Sequence, residues 1–272
     1  MIALTLLTGS AWCQDTPKYG SNNGAYVTVD GRKLYYEEYG SGTPLLLLHG
    51  GFGSIADFTK VIPVLSKSYR VIAVDSPGHG RSVQAETLSY PLMASYFSKM
   101  IDAMKLDSVY VMGWSDGGVV AYWLAADRPD KVKRAIAVGA NTKTSGMMEG
   151  FVDFINAELT PEVVESGKNE WLTGWKKQYD ERSPQKDQWK KFVDDTRKMW
   201  TTDVYIPDEK LKSISVPVMV VMGDKDLMTL EHGIEIHRAI PSSEFCVLPN
   251  TSHMVFGEVP DIISAIALRF FR

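Results

Sequence analysis

The chain has 272 residues, 44% of them hydrophobic and 23% charged, enough to bury one large core and ordinary for a globular protein. Its net charge of −4 and pI near 5.8 supply no basic stripe, which disfavours nucleic acid and anionic membrane as partners. A small molecule is the expected partner.

Residues 1–13 carry no charged side chain. The apolar run Ile2-Ala3-Leu4-Thr5-Leu6-Leu7 is followed by Gly9, Ser10 and Ala11, the pattern of a signal-peptide core and cleavage site, although no basic residue precedes it. A signal peptide over 1–13 and a periplasmic or secreted location are therefore expected; without export the protein would be cytoplasmic. The segment is too short to span a bilayer, and bulky Trp12 before Cys13 argues against lipid attachment. Its removal leaves Cys246 alone, so no intrachain disulfide is expected.

After an arm over 14–24, the alternation in 25–39 around Asp30-Gly31 reads as a hairpin. Leu45 to Leu48 is a continuous apolar run, as a strand buried on both faces requires. A loop over 49–53, a helical pattern to about 66 and a buried strand at 71–74 follow. The glycine-rich loop Asp75-Ser76-Pro77-Gly78-His79-Gly80-Arg81-Ser82 comes next. Helix (92–104), strand (109–112), helix (117–126) and strand (132–138) alternate after it, the rhythm of a parallel sheet covered on both sides. The rhythm breaks over 141–212, which is helical in pattern and rich in aromatics: Phe151, Phe154, Trp171, Trp175, Tyr179, Trp189, Phe192, Trp200 and Tyr205. This stretch reads as a helical lid inserted into a core of 25–140 and 213–272. Most of its aromatics are expected to pack a small core of the lid's own, and a few to face substrate. Alternation resumes with a strand at 216–221, a helix at 230–239, a strand around Cys246 and a last helix from Pro260.

Gly113-Trp114-Ser115-Asp116-Gly117 matches G-x-S-x-G. The pattern alone is weak, but a strand ends at Gly113 and a helix begins at Gly117, the setting of a nucleophile elbow. A serine hydroxyl needs a base, and in this setting the base is a late histidine. His253 lies after the last strand, at the sheet edge where such sites gather. His49 and His79 precede the serine, and His232 and His237 read as surface residues of a helix, five apart and without metal-ligand spacing. Met222-Gly223-Asp224-Lys225-Asp226 offers two candidate acids, one of which would instead form the turn. The oxyanion donors would be the N–H of Asp116 and an N–H of the His49-Gly50-Gly51-Phe52 loop, Gly51 first and Phe52 as fallback. Phe52 and Trp114 are expected to touch substrate. The Asp116 carboxylate has two readings: partner of a cationic amino group on the substrate, or a helix N-terminal carboxylate facing the dipole.

These motifs in this order resemble the α/β-hydrolase superfamily over nearly all the chain after residue 24. The string from Gly113 to Gly118 is similar to the serine hydrolase branch that includes valacyclovir hydrolase. The resemblance implies a mostly parallel sheet with a helical lid, and Asp226 as the acid. It also implies hydrolysis of esters or related acyl bonds without a cofactor. C–C bond hydrolases, lactonases and haloperoxidases share the same three residue types and remain alternatives. Dehalogenases and epoxide hydrolases of this fold use an aspartate nucleophile, against which Ser115 argues. A non-catalytic binding protein of this fold would lack one of the three.

Overall fold

The computed structural model describes Lys18 and residues 24–202 and 204–272; the expected signal peptide and most of the arm lie outside the described residues. Eight strands form one sheet: β1 (Ala25–Val29), β2 (Arg32–Tyr39), β3 (Pro44–Leu48), β4 (Arg70–Val74), β5 (Val109–Trp114), β6 (Val132–Val138), β7 (Val218–Lys225) and β8 (Ser243–Ser252). Their order is β1-β2-β4-β3-β5-β6-β7-β8. The β1–β2 hairpin turns at Asp30 and Gly31, both at positive φ, and β2 pairs antiparallel with β4. From β4 to β8 every neighbouring pair is parallel.

The apolar runs explain the layering. Successive side chains of a strand point to opposite faces, so Leu46 and Leu48 enter one buried cluster and Leu45 and Leu47 the other. The first face is covered by α2 (Tyr90–Ala103), α3 (Asp116–Asp127) and α9 (Leu230–Ala239), and the second by α1 (Ile62–Leu65), α10 (Val255–Glu258) and α11 (Pro260–Phe270). Helix α2 starts before the apolar periodicity does, because Ser89 caps it and Pro91 fits its first turn.

Between β6 and β7 the chain makes the expected helical excursion, with α4 (Phe151–Glu158), α5 (Pro161–Glu165), α6 (Glu170–Arg182), α7 (Trp189–Thr201) and α8 (Asp208–Lys212). Two isolated bridges, Lys143 with Tyr205 and Met147 with Met228, tie its ends to the body. Its core is not separate. Tyr179, Trp189, Phe192 and Met199 belong to the same buried cluster as Leu46 and Leu48. Phe154 and Tyr205 remain 47% and 63% exposed. Among the described residues no helix is long and apolar enough to cross a membrane.

Candidate active site

Strand β5 runs straight into α3 through Ser115, which has φ 54° and ψ −119°. Side chains rarely adopt this conformation, and the two glycines of the motif make it possible. A Cβ on Gly113 would collide with the Gly117 carbonyl, and one on Gly117 with the Leu48 carbonyl. Serine at a helix start ordinarily caps the helix; here its side chain makes no capping bond. The hydroxyl is thereby left uncommitted.

Asp226 and His253 meet at the ends of adjacent strands. His253 Nδ1 donates to Asp226 Oδ1 at 2.7 Å, with the two side chains 16% and 0% exposed. Asp226 also accepts from Met228 N at 3.3 Å and Gly223 N at 3.4 Å. Burial alone would push its pKa up, but the His253 imidazole and these backbone N–H groups outweigh it and hold the carboxyl below the ordinary aspartate value. Asp224, the other candidate acid, faces solvent and accepts from Thr251 N at 3.0 Å, pinning the segment that leads to His253. Gly139, at the end of β6 with φ 59°, leaves room for the pair: a Cβ there would lie 2.9 Å from His253 Nδ1 and 3.1 Å from Asp226 Oδ2.

Ser115 reaches the same neighbourhood through its backbone N–H, which donates to Val138 O at 2.8 Å. Trp114 Nε1 donates to His253 O at 2.9 Å. In this conformation Ser115 Oγ makes no hydrogen bond among the described residues, to His253 or to any other group. Catalytic contacts are commonly loose in the absence of substrate.

The His49–Gly53 loop lies against the elbow. A Cβ on Gly50 would stand 3.6 Å from Ser115 Oγ, and one on Gly51 would stand 2.7 Å from Asp116 Oδ2. No protein acceptor engages the N–H of Gly51 or of Asp116 among the described residues. His49 shapes the loop from beneath. Its Nδ1 donates to Gly50 O at 2.7 Å and its Nε2 accepts from Ser76 N at 2.9 Å, a pattern only the neutral ring can make. Burial, and next to it the charge of His79, lowers its pKa to about 3.

Several sequence expectations need correction. Trp114 is buried on the second face against Phe256, because the alternation along β5 sends it there; it braces His253 from behind. Phe52 is 6% exposed and its ring is already occupied. Trp175 stacks on it at 4.4 Å and 4°, and Phe192 and Trp200 meet it edge-on at 5.0 and 5.7 Å. The cavity left beside these rings is about 10 Å³, room for about one water, so they are packing. His232 is not at the surface. It is 3% exposed, and its Nε2 accepts from Thr142 N at 3.0 Å, tying α9 to the start of the excursion.

Asp116 is the first residue of α3, where the helix N-terminal reading expects it. The residue is only 4% exposed, and its carboxylate also takes neutral donors. Tyr90 Oη donates to Oδ1 at 2.8 Å, and Trp200 Nε1 lies 2.9 Å from Oδ1 and 3.0 Å from Oδ2. Burial pushes its pKa up to about 6, against the pull of Trp200, Tyr90 and the His253 charge. Sequence reasoning missed Tyr90, Gly139 and the use of Trp200 as a donor. Only Gly139, a glycine closing an apolar strand, carried a local signal.

A family model described as the alpha/beta hydrolase fold matches residues 43–173. The chain is similar to the serine hydrolase BPHL of Homo sapiens, at 28% identity over 269 residues that cover 91% of this chain and 86% of the relative. It is similar at 28% identity to the pimeloyl-acyl-carrier-protein methyl ester esterase of Aeromonas hydrophila, covering 82% of this chain and 93% of that one. Among solved structures it resembles the meta-cleavage product hydrolase CumD of Pseudomonas fluorescens IP01, with a TM-score of 0.74, 21% identity and coverage of 91% and 97%.

Proposed function

We propose that the chain is a hydrolase of the α/β-hydrolase superfamily, on its similarity to that family's model and to named hydrolases, and that it cleaves carboxylic esters of small molecules through Ser115, His253 and Asp226. Ser115 Oγ attacks the ester carbonyl while His253 Nε2 takes its proton. The alkoxide forms beside the N–H groups of Asp116 and Gly51, one such donor being worth about 2.7–4 kcal/mol in the transition state. The C–O bond then breaks, and His253 returns the proton to the departing alcohol. Water, deprotonated by His253, attacks the acyl-enzyme; the acyl bond to Ser115 Oγ breaks, His253 returns the proton to that oxygen, and the acid leaves. Asp226 keeps Nδ1 protonated and stabilises the imidazolium without accepting its proton. The excursion over 141–212 acts as a lid over this site.

The observation that carries the reading is the buried Asp226 carboxylate holding His253 Nδ1 at 2.7 Å. It commits that nitrogen and leaves Nε2 without a protein partner among the described residues. The names of two similar proteins, a serine hydrolase and a methyl ester esterase, support the nucleophile and the bond cleaved. A fluorophosphonate probe should label the protein at Ser115. Ser115→Ala should abolish labelling and lower kcat toward aryl esters by about 10⁶. An alanine variant that keeps most of its activity would overturn the assignment. Faster turnover of a lactone or a dienone than of any ester would replace the ester with that bond.

A further inference from the structure

Residue 116 carries two groups of opposite use. Its N–H is one proposed oxyanion donor, while its carboxylate lies beside the other, Oδ2 standing 2.7 Å from where a Cβ of Gly51 would be. An ionised carboxylate there opposes the alkoxide that the reaction must form, and opposes it strongly where water is excluded. Two donors counter this. Tyr90 Oη comes from α2, part of the body, and Trp200 Nε1 comes from α7, part of the excursion. The indole spans both carboxylate oxygens, and its six-membered ring presses on the Gly51 position. Packing against Phe52 needs only an aromatic face, and the N–H is what engages the carboxylate.

We propose that Trp200 is a positioning residue of the reaction, its indole N–H drawing off the charge of the Asp116 carboxylate beside the forming alkoxide, so that α7 must be docked for the oxyanion site to work. This rests on the ester-hydrolase reading above. The titratable groups facing the carboxylate are Tyr90 from α2 and His253 from the loop after β8; α7 contributes the neutral indole, and the Gly51 loop contributes backbone. With a pKa of about 6, the carboxyl is charged at pH 8 and is largely protonated at pH 5.5. Loss of a donor raises that value further.

The test is Trp200→Phe assayed on 4-nitrophenyl acetate. At pH 8 kcat should fall about tenfold, the size of one charge-assisted hydrogen bond, with KM within about twofold. The wild-type to variant ratio should close to within about twofold at pH 5.5, where the carboxyl is largely protonated. Placed on an Asp116→Asn background, the same substitution should cost less than about twofold at either pH. Tyr90→Phe, which removes the other donor without touching α7, should show the same convergence as pH falls. A ratio that stays constant with pH, or an equal loss in both backgrounds, overturns the proposal and leaves Trp200 as packing. Fluorophosphonate labelling separates the two failures: an unlabelled wild type sinks the ester-hydrolase reading, and a labelled wild type with a flat ratio sinks the positioning role alone.

Discussion

Ser115 sits where a side chain costs about 1–3 kcal/mol of backbone strain, and its φ of 54° is enforced by neighbours too close for any Cβ on Gly113 or Gly117. Alanine in its place keeps the strain, whereas glycine relieves it. Ser115→Gly should therefore be more stable than Ser115→Ala by about 1 kcal/mol, with both variants inactive. Urea unfolding of the pair decides this, and an alanine variant at least as stable as the glycine one would mean the elbow is relaxed. Strain of this kind was legible, since G-x-S-x-G between a strand and a helix names the residues that must be small. What Asp116 pairs with was not. Tyr90 lies 26 residues before it and Trp200 84 after it, and no spacing in the chain links them.

At the level of elements, one ring of the body packs between two helices of the excursion. Phe52 has φ 56°, unusual for so bulky a residue, and that conformation delivers its side chain between α6 and α7, against Trp175, Phe192 and Trp200. Phe52→Ala should remove about 3–5 kcal/mol of packing, nearly all of it from this seam. Limited proteolysis read by mass spectrometry should then find cuts within 141–212 at least about tenfold faster than in wild type, with the strands uncut, because local opening draws on the least-packed unit. Cuts spread evenly along the chain would show that Phe52 supports the whole core. The strands and their order of appearance were readable because runs such as Leu45–Leu48 bury both faces. Phe52 read as a substrate contact because its neighbours in sequence are the glycines of the His49–Gly53 loop beside Ser115, and its neighbours in space come from more than 100 residues away.

Across the whole molecule, two buried imidazoles join the sheet to the excursion. His79 meets Phe192 of α7 edge-on at 4.7 Å and His49 at 5.1 Å. Burial lowers the pKa of His79 to about 4, against the small opposing pull of the Pro77 carbonyl. Its folded value therefore lies below the unfolded value of 6.5, and the unfolded chain takes up the proton first. The stability His79 contributes is complete above pH 6.5 and is lost as pH falls toward about 4. Compared with His79→Gln, wild type should lose about 2 kcal/mol between pH 7.5 and 5, measured as the difference between their urea midpoints. Parallel pH curves for the two proteins would place the proton uptake elsewhere.

The stitching of the excursion has an evolutionary consequence. Both its ends are clamped at the rim, by Lys143 with Tyr205 and Met147 with Met228, and by Ile206 N donating to Thr142 O at 2.8 Å. Strands β6 and β7 pair in register from Ala135 with Val218 to Val138 with Val221, on the far side of those seams. Length can thus change between those seams outside α6 and α7 while Asp226 and His253 keep their places, whereas the rings of α6 and α7 that meet Phe52 and Asp116 are bound to the body they cover.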